Sequence, residues 1–352
     1  MKLLMITRKV DLKDASPAGF TYNWVKKIGE KLEKLYVITW QKSDRSGLPQ
    51  NIEIISLSDN KFFKIIALQF KLLKILPKVN GIFCHQNPEY TILAASCAKL
   101  FGKKIVTWYA HGSINWKLYL AYWLTDKLIT SSEKGCRLKN RKKIKVIGQG
   151  IDIDCFKPKQ EYVQRKEKIR ILSVGRISPV KDYETLVRAV NILIEQGIKN
   201  LEAEVCGGVG LKSHKKYFNY LKHLVESLKL ESKIKFLGPV PHNQLLGYYQ
   251  DCDLFISPSQ TGSLDKTVLE AMACQKLVLT CNDAFIEIFN DSRMIFEKKN
   301  AQNLAQKIVN LINLSKKEKQ IIGQRLRREI VQNHNLDNLI IRIIGSFRKM
   351  SG

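Results

Sequence analysis

Strand-like and helix-like segments alternate along this chain, the alternation breaks once, and then it begins again. Short apolar runs at 2–7, 35–40, 52–57, 81–85 and 104–111 have the length of buried strands, and KVIGQGID (145–152) closes the first series. Helical stretches stand between them. The stretch 19–34 puts Phe20, Trp24, Ile28 and Leu32 on one face, 89–100 is a second, and LAYWLTDKLITSS (120–132) runs from a helix into a strand. The polar run KPKQEYVQRKEK (157–168) interrupts the pattern. Strands at 169–175, 201–207, 234–238, 254–259 and 277–281 then alternate with helices at 182–196, 214–228, 242–249 and 266–274, and helices follow. Near-continuous apolar strands joined by crossover helices make parallel sheets covered on both faces. The expected fold class is α/β: two doubly wound (Rossmann-like) domains facing each other, with a cleft between them. Ligands of such sheets bind at the carboxyl ends of the strands.

Composition narrows the function. At 352 residues the chain is long for one core. Its formal charge of +27 calls for an anionic partner: a nucleotide, a nucleic acid or an acidic lipid. The excess is spread over both halves, so no basic tail accounts for it. The eight cysteines form no C-x-x-C pair and no Cys/His cluster with zinc spacing, which points to free thiols in a reducing cytoplasm. Arg8, Lys9 and Asp11 end the first apolar run too soon for a signal peptide. No window approaches the ~20 apolar residues of a spanning helix. The protein is expected to be soluble or to lie on a membrane surface.

Two stretches carry chemistry. IRILSVGRISPVKDYETLVRA (170–190) reads as a buried strand, a turn and a helix. Gly175 permits a sharp exit and the close approach of a ligand. Arg176 can fork onto two phosphate oxygens and Lys181 adds a point charge. Two solvated cations on a basic protein are the plainer alternative. In TVLEAMACQKLVLT (267–280), Glu270 offers a carboxylate that could hold a ribose diol. Gly207-Gly208-Val209-Gly210 lacks the spacing of a dinucleotide fingerprint and reads as a close turn. His85, His214, His223, His242 and His334 each stand alone in the sequence. In KFFKIIALQFKLLKILPK (61–78), Lys61, Lys64, Lys71, Lys74 and Lys78 fall within about 140° of one helix face. The apolar side of that helix packs on the sheet, and the lysine face is expected to rest on anionic lipid. A second basic run, LKNRKKIKV (138–146), could add to it.

LSVGRISPVKDYETLVRA, DLFISPS and TGSLDKTVLEAMA, in that order, resemble the glycosyltransferase group 1 domain, also called glycosyltransferase family 4. WYAHGS, TDKLITSSE and KVIGQGIDIDCF extend the resemblance into the first half, with Gln149 where the family has asparagine. The resemblance implies the GT-B fold. Residues 1–156 would bind the acceptor and 169–333 the nucleotide-sugar donor, with 157–168 as linker and a C-terminal helix, 334–352, packing back towards the first domain. It implies a UDP-, GDP- or ADP-sugar donor, transfer with retention, and neither cofactor nor metal ion. Arg176 and Lys181 would bind the diphosphate beside Gly175. Thr267 and Val268 would offer backbone N–H groups to the phosphates. Glu270 would accept from the ribose, and His111 would contact the transferred sugar. Gly19 sits where the family's first loop nears the phosphates, with Ala18 in place of a second glycine. The family's first glutamate falls on Gly262, so Asp265 or Lys266 would take over sugar contacts; as the plainer alternative they merely begin a helix, Asp265 as its N-cap. Asp251-Cys252-Asp253 resembles a manganese-binding pair but precedes an apolar strand, where the family has a structural aspartate.

The function expected is transfer of one sugar to a glycan acceptor, lipid-linked, in cell-surface polysaccharide or glycolipid synthesis. The enzyme would be cytoplasmic and peripheral at the inner face of the plasma membrane. A nucleotide-sugar epimerase or phosphorylase of the same fold is an alternative, though phosphorylases need a longer chain and pyridoxal phosphate on a lysine. A nucleic-acid-binding protein is another, against which no helix-turn-helix, zinc or aromatic RNA-binding motif appears. Donor base, sugar, linkage and oligomeric state are not legible in the sequence.

Overall fold

The chain was analysed as a computed structural model that describes residues 1–16, 18–57, 60–159 and 168–351, with the side chains of Lys61, Phe62 and Ser351 excepted. Most of the linker expected at 157–168 lies outside the described residues. The chain divides into two units: Met1–Asp14, Ala18–Gly150 and Asn335–Gly352 form one, and Ala15–Pro17 with Ile151–His334 form the other.

The first unit is built on strands β1 (Lys2–Thr7), β2 (Lys34–Thr39), β3 (Ile52–Ser56), β4 (Gly81–His85), β5 (Lys104–Trp108), β6 (Lys127–Thr130) and β7 (Ile144–Val146). They run parallel in the order β3-β2-β1-β4-β5-β6-β7, so the strand order reverses between β1 and β4. Its helices are α1 (Thr21–Glu30), α2 (Lys61–Ile75), α3 (Pro88–Leu100) and α4 (Trp116–Leu124). The strand period of two sorts the core. Leu3 and Met5 of β1 join Trp24 and Ile28 of α1 on one face, and Leu4 and Ile6 join Leu68, Leu72 and Ala94 of α2 and α3 on the other. The strand expected over 145–152 shrinks to three residues at the sheet's edge.

The second unit has strands β8 (Ile169–Val174), β9 (Leu201–Cys206), β10 (Ile234–Gly238), β11 (Leu254–Ser257) and β12 (Leu277–Thr280), parallel in the order β10-β9-β8-β11-β12. Its helices are α5 (Tyr183–Glu195), α6 (Lys215–Ser227), α7 (Leu245–Asp251), α8 (Lys266–Ala273), α9 (Ile286–Phe289), α10 (Ala301–Ile312) and α11 (Lys316–Asn333). One apolar cluster runs through the whole unit, from Ile151 and Phe156 to Leu326 and Ile330. The helix α12 (Leu336–Ser351) belongs to the first unit. Leu339, Ile340, Ile343 and Phe347 enter the α1 face of its core. The Phe347 ring lies so close to Gly81 that a β-carbon there would stand 2.6 Å from it.

The five-lysine face expected over 61–78 is broken at Lys64. That residue is buried, donates from Nζ to the Trp40 carbonyl at 2.8 Å and lies over the Trp40 ring. The four-residue steps from Lys64 to Leu68 and Leu72 continue the buried row, so its stem packs as an apolar chain while a backbone oxygen takes the ammonium. Lys71, Lys74 and Lys78 are exposed, and the side chain of Lys61 lies outside the described residues. Among the described residues no helix is long and apolar enough to cross a membrane.

No disulfide joins any of the eight cysteines, and all but Cys155 are buried. Desolvation pushes the thiols of Cys84, Cys206, Cys252 and Cys281 up to about 12. Native protein at pH 8 should therefore show one fast thiol in a disulfide-exchange assay with an aromatic disulfide, and eight after denaturation. Mass spectrometry should place the fast label on Cys155; three or more fast native thiols would contradict this packing.

Candidate functional site

The site in the second unit begins where two strand ends meet. Past β8, the Gly175 amide donates to the Cys206 carbonyl, and the Ile177 amide donates to that of Gly208. A β-carbon on Gly207 would stand 1.8 Å from the Gly175 carbonyl oxygen, so no side chain fits there. GVG at 208–210 is thus a close turn, as its sequence suggests, and the Arg176 stem lies against Gly210. The Tyr183 hydroxyl donates back to the Gly175 carbonyl at 3.0 Å and pins the turn from below.

Lys181 joins this turn to the loop after β11. Its Nζ donates to Ser259 Oγ and to Asp265 Oδ1, both at 3.0 Å, with both side chains of the ion pair largely buried. Gln260 ties the same two loops a second time, donating from its backbone to Val180 and from its side chain to Asp182. Asp182 takes a left-handed conformation at φ 45°, and desolvation raises its carboxyl pKa despite hydrogen bonds from Thr185 and Gln260. Asp265 occupies the N-cap position of α8, but its carboxylate does not cap the helix. It is spent on Lys181 and is approached by Asn282 Nδ2 at 3.5 Å. The first-turn amides of α8, those of Lys266, Thr267 and Val268, have no intrahelical acceptor by helix geometry, and the helix dipole favours an anion there. Desolvation lowers the Lys266 ammonium pKa well below the usual lysine value, and the Glu270 carboxylate opposes it. Gly262 turns at φ +70°, which disfavours the glutamate that the family pattern has at this position.

Glu270 is buried on α8 with both oxygens engaged. Oε1 pairs with His242 Nε2 and Oε2 accepts from the Tyr249 hydroxyl, each at 2.8 Å. Phe156 packs edge-on against both partner rings. His242, which stands alone in the sequence, is therefore a partner of the candidate ribose acceptor. A carboxylate has about four lone-pair sites, so Glu270 keeps capacity for a further donor. Nothing local marks His242 or Tyr249, since 28 and 21 residues separate them from Glu270.

The other two predicted residues stand in the first unit. Gly19 is buried just before α1, and its carbonyl accepts from the Tyr22 amide. His111 is exposed beyond the carboxyl end of β5, with Nδ1 3.3 Å from Ser113 Oγ. Arg137 lies over the adjacent Gly112, within 3.3 Å of where a β-carbon would be. His85 ends β4 beside the switch point, bonded to Thr7 Oγ1 and packed edge-on or tilted against the rings of Phe20, Trp24 and Phe83. The Asp251/Asp253 pair is structural in its contacts. Asp253 accepts from the Arg170 amide at 2.8 Å, and Asp251 pairs with Lys159.

Tyr249→Phe should leave one buried oxygen of Glu270 without its donor and lower stability by about 1–3 kcal/mol in denaturant unfolding. The double variant Tyr249→Phe with Glu270→Gln should lose less in total than the two single losses combined. Strict additivity would mean that the two side chains do not interact.

Comparison with known proteins bears on the same segment. The family model described as glycosyl transferases group 1 matches residues 156–327. The D-inositol 3-phosphate glycosyltransferase of Mycolicibacterium smegmatis is 32% identical over 162 residues, which is 42% of this chain and 36% of that protein. The chain spans about a third of the length of the curated relatives it matches. Among solved structures, HepE of Anabaena in complex with UDP and glucose superposes with a TM-score of 0.79 at 16% identity over 99% of both chains. Sucrose-phosphate synthase from Thermosynechococcus elongatus gives 0.78 at 14% identity, again over 99% of each. The architecture of two doubly wound units is therefore that of the GT-B glycosyltransferases.

Proposed function

We propose, for a chain whose residues 156–327 form a glycosyl transferases group 1 domain, that it transfers a sugar from a nucleoside-diphosphate sugar to an acceptor hydroxyl, with retention and without a metal ion. One observation carries the reading. Lys181, paired with Asp265, stands between a strand end stripped of side chains and the amino end of α8. Arg176 and Lys181 would meet the diphosphate, and the amides of Thr267 and Val268 would meet its phosphates. Asp265 and Lys266 would border the sugar, Glu270 would take the ribose hydroxyls, and His111 would touch the sugar from the first unit.

In the step proposed, the bond from the anomeric carbon to the diphosphate oxygen breaks. The acceptor oxygen bonds to that carbon on the same face, and its proton passes to a non-bridging oxygen of the leaving diphosphate. Charge then gathers on the diphosphate, where fixed cations and helix amides stabilise it most. No carboxylate is assigned as a nucleophile.

The acceptor we propose is a lipid-linked glycan, handled at the inner face of the plasma membrane during cell-surface polysaccharide or glycolipid synthesis. The net charge of +27 supports an anionic surface as partner. A phosphorylated small-molecule acceptor is the second reading, favoured by the names of relatives that act on inositol 3-phosphate or make sucrose phosphate.

Thermal shift against UDP-, GDP- and ADP-sugars should single out one donor. Lys181→Ala and Glu270→Ala should each cut turnover at least about a hundredfold, as loss of a key charge contact does. Arg176→Lys should also be damaging, since lysine cannot fork onto two oxygens. Near-wild-type turnover in the first two would remove the donor-site assignment. Activity should survive EDTA; loss restored by manganese would instead put Asp251 and Asp253 at the reaction. Transfer to inositol phosphates but not to lipid-linked sugars would favour the second reading.

A further inference from the structure

The helical layer over one face of the first unit's sheet carries large apolar side chains on its outward side. α2 packs inward through Lys64, Leu68, Leu72 and Ile75. At 3.6 residues per turn, Phe63, Ile66, Phe70 and Leu73 fall within about 80° of arc, roughly opposite that row. They are exposed, Phe63 at 59% and Phe70 at 62%. A helix that is apolar on opposite sides ordinarily has both sides covered. Lys71 and Lys74 form a strip of about 60° beside the outer stripe, and Lys78 follows on the short 3-10 turn past α2.

α4, which packs against α3 in the same layer, repeats the arrangement with aromatics. Leu118, Ala121 and Tyr122 face inward, while Trp116, Tyr119 and Trp123 are exposed at 69%, 51% and 80% and lie within about 60° of arc. The sequence WKLYLAYWL contains no acid. Its carboxyl end is bound to the basic run: Lys143 Nζ donates to the carbonyls of Tyr122, Trp123 and Thr125, and Asn140 accepts from the Tyr122 hydroxyl. Lys139, Arg141 and Lys142 stand in the same run as Lys143, whereas Lys145 faces the other side of the sheet, near Lys127 and Lys349. The neighbouring acids are matched by cations: Glu89 by Lys117, Asp126 by Lys104, and Glu133 by Arg141.

We infer that the outward sides of α2 and α4 insert into the interface of an anionic bilayer, Trp116, Tyr119 and Trp123 at headgroup depth and Phe63, Ile66, Phe70 and Leu73 below it. Tryptophan and tyrosine suit that depth because their rings have an apolar body and a polar edge. Helices lying in the plane of the interface combine an apolar face with flanking lysines in this way. Each lysine adds about 1 kcal/mol of attraction near an anionic surface. The same cations disfavour a second copy of the chain as the occupant, since self-docking would bring like charges together. The inference deepens the membrane part of the proposed function and replaces a purely electrostatic contact through a lysine face by insertion. It concerns binding alone, so it can be tested apart from transfer.

The full chain should float with vesicles of phosphatidylglycerol and phosphatidylcholine, and part of that binding should survive salt that screens the lysines. Acyl-brominated lipids should quench the fluorescence of Trp116 and Trp123 most, because Trp24 and Trp108 are buried in the core and Trp40 is partly buried beneath Lys64. Trp116→Phe with Trp123→Phe should remove most of the quenching. Trp116→Ser with Trp123→Ser, and separately Phe70→Ser with Leu73→Ser, should each weaken partitioning at least tenfold with unchanged circular dichroism. Should both serine pairs bind as wild type while Lys71→Gln, Lys74→Gln and Lys78→Gln abolish binding, the contact is electrostatic and the insertion falls. Absence of wild-type binding to any vesicle would overturn the membrane reading as well. A dimer in sedimentation, broken by the serine pairs, would assign the face to a second copy. Sugar-nucleotide thermal shifts on the same samples report the donor site independently of all these outcomes.

Discussion

The ammonium of Lys181, fixed between the Ser259 hydroxyl and the Asp265 carboxylate, joins the loop that leaves β8 to the loop that leads into α8. In water such a pair is worth little, but this one is largely buried, where attraction between charges is screened less. It does two things at once. It holds the amino end of α8 beside the glycine turn, and it keeps a cation from wandering before an anion arrives. In the function proposed, a diphosphate would meet a charge whose position is already fixed, and little ordering cost would be left to binding. The tight seam between Gly175 and Gly207 serves the same end, since it leaves the strand ends with backbone alone facing outward.

The sequence made this much visible because its signals were local. Strand and helix periods are read over a few residues, and they recover both parallel sheets. The residues grouped around α8 are equally near in sequence, from Asp265 to Glu270. The contacts that qualify those residues are not. Asp265 looks like a cap until Lys181, 84 residues earlier, takes its carboxylate. Glu270 looks like an open acceptor until His242 and Tyr249 arrive from a different helix region. Gly262 reads as the loss of a glutamate, yet its left-handed backbone shows a turn with its own steric demand.

Lys64 failed for a related reason. A helical wheel sorts residues by angle, and by angle Lys64 stands with the other lysines as readily as with Leu68 and Leu72. Which group it joins depends on a carbonyl of Trp40, at the end of another strand. Charge is a poor guide to side where the stem is long enough to bury and the head can find an oxygen.

The return of α12 to the first unit has a consequence for how the protein is made. Residues 1–150 leave the ribosome first, but the apolar face that α12 covers stays open until 335–352 have been synthesised. The second unit, contiguous from Ile151 to His334 apart from a short stretch at 15–17, has its core-forming residues available earlier. The half of the chain that is born first is therefore finished last. Through translation of the second unit, the bed meant for Leu339, Ile343 and Phe347 is a surface that a chaperone would recognise.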